Sequence, residues 1–247
     1  MQMKANLTQH YVQQSLLGFI SALPQWPICV LPIWFSDLNM SAMWTGMLGV
    51  LVFPYLLKWL WAPVLDYWTQ RAPVVSLLRL LQIMVVVMMF MVVLFAHWHQ
   101  WFSVIVMSLV MAFLSASFDT LLDGYRLQIE DEQLRTQANS AGILGYRLGL
   151  ALVMIVPTMW VANQWSGWEV PLVGIIVVYA LCCFVYGLLP MGTKTIPHHQ
   201  GGLQDIWFNI RSFSWLFWVY LWLFKAPLYL LEQFMYQYLK QQAHFSL

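Results

Sequence analysis

The residues best suited to chemistry lie in the stretch Ser115-Ala-Ser-Phe-Asp119-Thr-Leu-Leu-Asp123-Gly-Tyr-Arg126. It closes an apolar run that begins near Phe102. On a helix, Ser115, Asp119, Asp123 and Arg126 are spaced four, four and three residues apart and share one face. The run is long enough to span a bilayer, so that face carries two carboxylates and a guanidinium at its end. Ionisable groups at membrane depth cost roughly 2.5–3.5 kcal/mol each on insertion scales and usually line a polar cavity or pathway. The alternative ends the helix near Ser117 and leaves the charges among the headgroups.

Other charged groups occur where an apolar segment would have to hold them. Arg147 lies about a third of the way along its segment and needs a partner or a water-filled cavity. Asp119 is one candidate partner, because the two segments are joined by a short loop; an anionic solute is another. Asp66 and Arg71 stand five residues apart in a tight turn, as a latch between neighbouring helices or as a solvated pair of almost no energetic value. Lys225 and Glu232, seven apart, share a face of a segment that also contains Pro227. Neither His97 and His99 nor His198 and His199 stand with carboxylates at metal-site spacing. Cys29, Cys182 and Cys183 lie in apolar runs, as packing residues do. No nucleophile elbow, P-loop or Rossmann glycine pattern is visible, which argues against an enzyme or a bound cofactor.

These groups must be positioned by membrane helices. Of 247 residues, 61% are hydrophobic and 9% charged. Soluble domains carry roughly 25% charged residues, so this composition excludes a water-facing surface and implies an all-α polytopic membrane protein with lipids as its surroundings. The net charge of +1 leaves no nucleic-acid footprint. Seven apolar segments have spanning length: 14–36, 43–63, 75–96, 102–123, 139–162, 170–189 and 213–235. The first apolar run is too long for a signal-peptide core and is read as a retained span. Lys4, Lys58, Arg71, Arg79, Arg126, Arg135, Lys194 and Arg211 fall at the N-terminus or at the second, fourth and sixth connections. The positive-inside rule then makes the N-terminus cytoplasmic.

The first segment contains Pro24, Pro27 and Pro32, each lacking a backbone donor, so it must kink. Kinked membrane helices often border a cavity. Trp26 and Trp34 of this segment, and Tyr146 of the fifth, are candidate cavity residues with Lys225. In the fifth segment Gly145 and Gly149 form a small-xxx-small pair that permits close helix contact, with Gly142 on the same side.

The chain resembles the AmpG family of muropeptide permeases within the major facilitator superfamily. The resemblance rests on Phe53-Pro-Tyr-Leu-Leu-Lys-Trp-Leu-Trp-Ala-Pro-Val-Leu-Asp66, on Ser115 to Arg126, and on Gly145-Tyr-Arg-Leu-Gly149, in that order and spacing. Gly18 to Pro24 fits more loosely. Phe118, Gly124 and Tyr67-Trp-Thr-Gln70 depart from the family's usual residues.

The resemblance implies a proton-driven importer of anhydro-muropeptides in the bacterial inner membrane, serving peptidoglycan recycling. It assigns proton coupling and transport to Asp119, Asp123, Arg126 and Arg147, and a conformational loop to Asp66 and Arg71. The implied organisation is a six-helix half over 1–190, a cytoplasmic linker over 191–211 and the first helix of an incomplete second half over 212–247. A separate second half, or a homo-oligomer, would then complete the pathway. Two other readings are a different carrier of the same superfamily, and a non-transporting remnant or scaffold.

Overall fold

A computed structural model describes residues 2–129, 131–163, 167–188 and 219. Among these residues it is helical throughout, without strands, and six stretches are long and apolar enough to cross a membrane. The chain is an all-α polytopic membrane protein. The expected seventh segment, the linker over 191–211 and Lys225 lie outside the described residues.

The first span, His10–Asp37, is kinked as its prolines require. Helix α1 (Gln2–Ala22) passes through a single 3-10 turn, Leu23–Gln25, into α2 (Trp26–Asp37). Pro24 sits at the start of the turn, and Pro27 in the first turn of α2, where its missing N–H costs nothing.

The second span departs from expectation. In place of one helix over 43–63, the chain runs through α3 (Ala42–Met47), a 3-10 stretch Leu48–Val52, α4 (Phe53–Leu57), a 3-10 turn Lys58–Leu60 and α5 (Ala62–Thr69). Pro54 and Pro63 each open a new helical piece, because neither can donate to the turn before it. The remaining spans are continuous: α6 (Val74–His97), α7 (Trp101–Leu127), α8 (Glu132–Ala162) and α9 (Glu169–Leu188). Helix α7 does not stop near Ser117 but runs through Asp119, Asp123 and Arg126. Helix α8 starts before the expected residue 139, capped by Asp131, which accepts from the Gln133 and Leu134 amides at 2.8 and 3.3 Å.

The closest helix pair is α1 against α8, far apart in sequence. A Cβ on Gly145 would run into the Ser15 carbonyl, and one on Gly149 into Phe19 and Ala22. A Cβ on Gly18 would likewise strike the backbone of Gly142. The two backbones touch, and Ser15 Oγ donates to the Ala141 carbonyl at 3.1 Å across the seam. The predicted small-residue contact is therefore present, with α1 as the partner.

The ends of the bundle differ in kind. At one end, Trp34 stacks on Trp168 with ring centres 6.2 Å apart and meets the edge of Trp101 at 5.8 Å. Phe35 also packs edge-on against Trp101. The Trp168 indole donates to Asp37 at 3.1 Å, and His97 Nδ1 lies 3.1 Å from Glu169. The turns here close through left-handed residues, Asn39 and His99. The other end gathers the charged residues.

Candidate functional site

The charged end is assembled from four spans. Helix α7 contributes Asp119, Asp123 and Arg126 from consecutive turns of one face. Lys58, at the second break of the second span, donates from Nζ to Asp123 Oδ2 at 3.3 Å. Arg126 Nη1 stands 3.8 Å from the other oxygen of Asp123, a loose pair one turn along the helix. Arg126 Nε donates to Gln14 Oε1 of α1 at 3.2 Å. Gly142 of α8 forms the floor beneath this guanidinium, since a Cβ there would overlap Arg126. The absence of a side chain at 142 thus makes room for the charge.

Asp119, one turn deeper, is partly buried beside Ser21, Lys58, Asp123 and Arg126. Two cations therefore flank it from two spans. The Tyr55 hydroxyl, from the short α4, faces Ser115 and Asp119. Neither the Tyr55 nor the Ser115 hydroxyl forms a hydrogen bond of good geometry, and both are buried. Gln14 Nε2 and Arg126 Nη2 are likewise buried without partners among the described residues. Unsatisfied buried donors cost about 1–3 kcal/mol each, so native proteins seldom keep them without a use.

The other expected site residues fall elsewhere. Arg147 does not pair with Asp119; it is exposed, on the side of α8 turned away from α1, and has no ion pair among the described residues. Asp66 and Arg71 do not latch to each other. Arg71 instead lies over the Tyr67 ring, 4.2 Å from its centre, while Asp66 is exposed at the end of the second span. Partial desolvation raises the Asp66 carboxyl above its usual range.

Trp26 and Trp34 are packed in the interior, Trp26 completely and Trp34 in the aromatic cluster, so neither lines an open cavity among the described residues. Tyr146 is partly buried and donates from its hydroxyl to Gln25 at 2.9 Å, tying α8 to the 3-10 turn of the first span. Trp61 similarly ties the second span to α7, donating to Ser117 Oγ at 3.1 Å.

Four contributors were not singled out as site residues by sequence: Lys58, Gln14, Tyr55 and Ser21. Lys58 carried a readable signal, being the cation of an otherwise apolar segment. The other three are ordinary polar residues whose importance depends on which helix they face.

No family model matches the chain. It is similar to the anhydromuropeptide permease of Escherichia coli, strains K12 and O157:H7, with 27% identity over 223 residues. That alignment covers 85% of this chain and 44% of the permease. An uncharacterized protein of Haemophilus influenzae is 31% identical over 155 residues, covering 58% of this chain and 36% of the relative. The chain thus spans less than half the length of these relatives.

Proposed function

We propose that the chain is a secondary transporter, or one part of one, of the AmpG type. It imports anhydro-muropeptides across the bacterial inner membrane by proton symport and feeds peptidoglycan recycling. The observation that carries this reading is the carboxylate Asp119, held within a membrane-length helix between Lys58 and Arg126 and beside the buried Tyr55 and Ser115 hydroxyls. The similarity to anhydromuropeptide permeases over most of the chain supports the choice of solute.

Residues 1–190 act as the six-helix half, with a cytoplasmic N-terminus, 191–211 as the linker and 212–247 as the start of a second half. A second half or another copy of the chain faces the first across the pathway. Asp119 is the proton carrier. Its negative charge draws Lys58 and Arg126 together; protonation from the outer side removes that charge and loosens the two cations. The proton leaves to the cytoplasm when the charged end opens, and the cations close again on the carboxylate. Asp123, paired to both Lys58 and Arg126, keeps them near while Asp119 is neutral.

The test is uptake of labelled anhydro-muropeptide by cells that lack their own permease and express this chain. Uptake is expected to depend on the proton gradient and to vanish in Asp119→Asn, with the variant still present in the membrane. Uptake that is insensitive to an uncoupler, or undiminished in Asp119→Asn, removes the proton-carrier assignment. Competition with unrelated amino-sugar solutes decides between this carrier and another of the same superfamily.

A further inference from the structure

We propose that the Arg147 face of α8 lines the aqueous solute pathway, and that its guanidinium binds a carboxylate of the transported solute. The inference rests on the transport reading above and adds a binding subsite to it.

Helix α8 has a clear inner side. Gly142, Gly145, Gly149 and Val153 are buried at steps of three and four, and the glycines lie against α1. Arg147 is two residues from both Gly145 and Gly149, about 200° around the helix from that seam. Its neighbours on the outer side, Ile143, Leu144 and Leu148, are 58–59% exposed. A guanidinium therefore projects from an apolar helix face, directly away from the described bundle.

Position within a membrane-length helix argues against plain lipid as the surroundings. Because Gly145 and Gly149 both contact Phe19, Arg147 is level with that residue. Phe19 lies within the span His10–Asp37, and Arg147 within the span Glu132–Ala162. A guanidinium within a span of this length is costly to leave in plain lipid. Intramembrane arginines face a partner or a hydrated cavity. The cation–carboxylate pairs of the described bundle draw on Lys58, Arg126 and His97, not Arg147.

Charge complementarity therefore asks for an anion from outside these helices. A muropeptide brings one in its peptide carboxylates, and Arg is suited to holding a carboxylate through two parallel N–H donors. Asp119 and Arg147 then divide the work: the first handles the proton, the second the solute's charge.

Two measurements test this. The first places Arg147→Cys in a background with Cys29, Cys182 and Cys183 replaced by Ser, and treats intact cells with a membrane-impermeant thiol reagent. The cysteine is expected to react, and excess anhydro-muropeptide to protect it. The second compares uptake of anhydro-muropeptide with that of the same solute carrying amidated peptide carboxylates. Arg147→Gln is expected to raise KM for the acidic solute on the order of tenfold to a hundredfold, with little change for the amide. Arg147→Lys recovers part of the loss.

An unreactive cysteine overturns the pathway assignment, as does an equal KM increase for both solutes. Either result, obtained with gradient-driven uptake intact, leaves the transport function standing and removes only this subsite. Absence of uptake by the unaltered chain removes the solute assignment together with the function.

Discussion

The two ends of the bundle are built on opposite economies of polar groups. At the aromatic end the turns are closed by paired groups: the Trp168 indole with Asp37, His97 with Glu169, and the turn amides with backbone carbonyls. Three tryptophans fill the space between. At the charged end, ions meet at 3.3–3.8 Å, with Gln14 Nε2 and Arg126 Nη2 left without acceptors. Aromatic packing holds the first end, while loose ion pairs with idle donors beside them leave the second free to rearrange. The difference teaches where stability and where movement reside.

The largest expected effect breaks the holding end. Trp34→Ala removes the ring that touches both Trp101 and Trp168. It is expected to cost about 3 kcal/mol, the low end for truncating a buried tryptophan, because lipid offers less hydrophobic penalty than water. A fall in the thermal midpoint in detergent micelles measures it; a midpoint unchanged from the parent would place the stability elsewhere.

A smaller effect sharpens the view of the moving end. Lys58 and Asp123 are 35% and 58% exposed at their side chains, so their pairing is screened. A double-mutant cycle with Lys58→Met and Asp123→Asn is expected to give a coupling of about 0.5–1 kcal/mol in stability, alongside a much larger loss of uptake. A coupling as large as the Trp34 effect contradicts the contrast between the ends.

The smallest effect concerns Asp66. Its carboxyl titrates above the usual range because of desolvation, so the folded state holds a proton where the unfolded state has lost it. Stability contributed by this group is therefore greatest at low pH and declines as pH rises from the ordinary carboxylate range through the raised folded value. Being exposed, it contributes at most a few tenths of a kcal/mol. Melting parent and Asp66→Asn in parallel from pH 4 to 7 is expected to show a slight extra fall in the parent alone.

Hydropathy made the third to sixth spans legible to within a few residues at most ends, because lipid imposes length and apolarity on every span. The start of α8 was missed since its first turns, Glu132 to Gln137, are polar but for Leu134 and stand clear of the apolar run. The breaks in the second span were missed although Pro54 and Pro63 were in view, because flanking apolar residues look the same in a broken helix as in a straight one. The face of α7 was legible from spacing alone. The lack of an Arg147–Asp119 pair was not, although the position of Arg147 two residues from the seam glycines already directs it away from α1. The tryptophan candidates were misplaced for another reason: a tryptophan reports an amphipathic surface but not which side of the helix is filled, and Trp26 and Trp34 are on the filled side.

The seam between α1 and α8 also constrains the order of assembly during synthesis. Ser15 and Ala141 are 126 residues apart in the chain. At about 5–20 residues per second, roughly 6–25 s separate their emergence from the ribosome. For that interval the first span is in the bilayer without its natural neighbour, its seam residues Ser15, Gly18 and Ala22 uncovered. An insertase or membrane chaperone that shelters small-residue grooves would find its substrate in this waiting helix. Slowing translation between α7 and α8 would lengthen the wait and raise the fraction of chains sent to proteolysis.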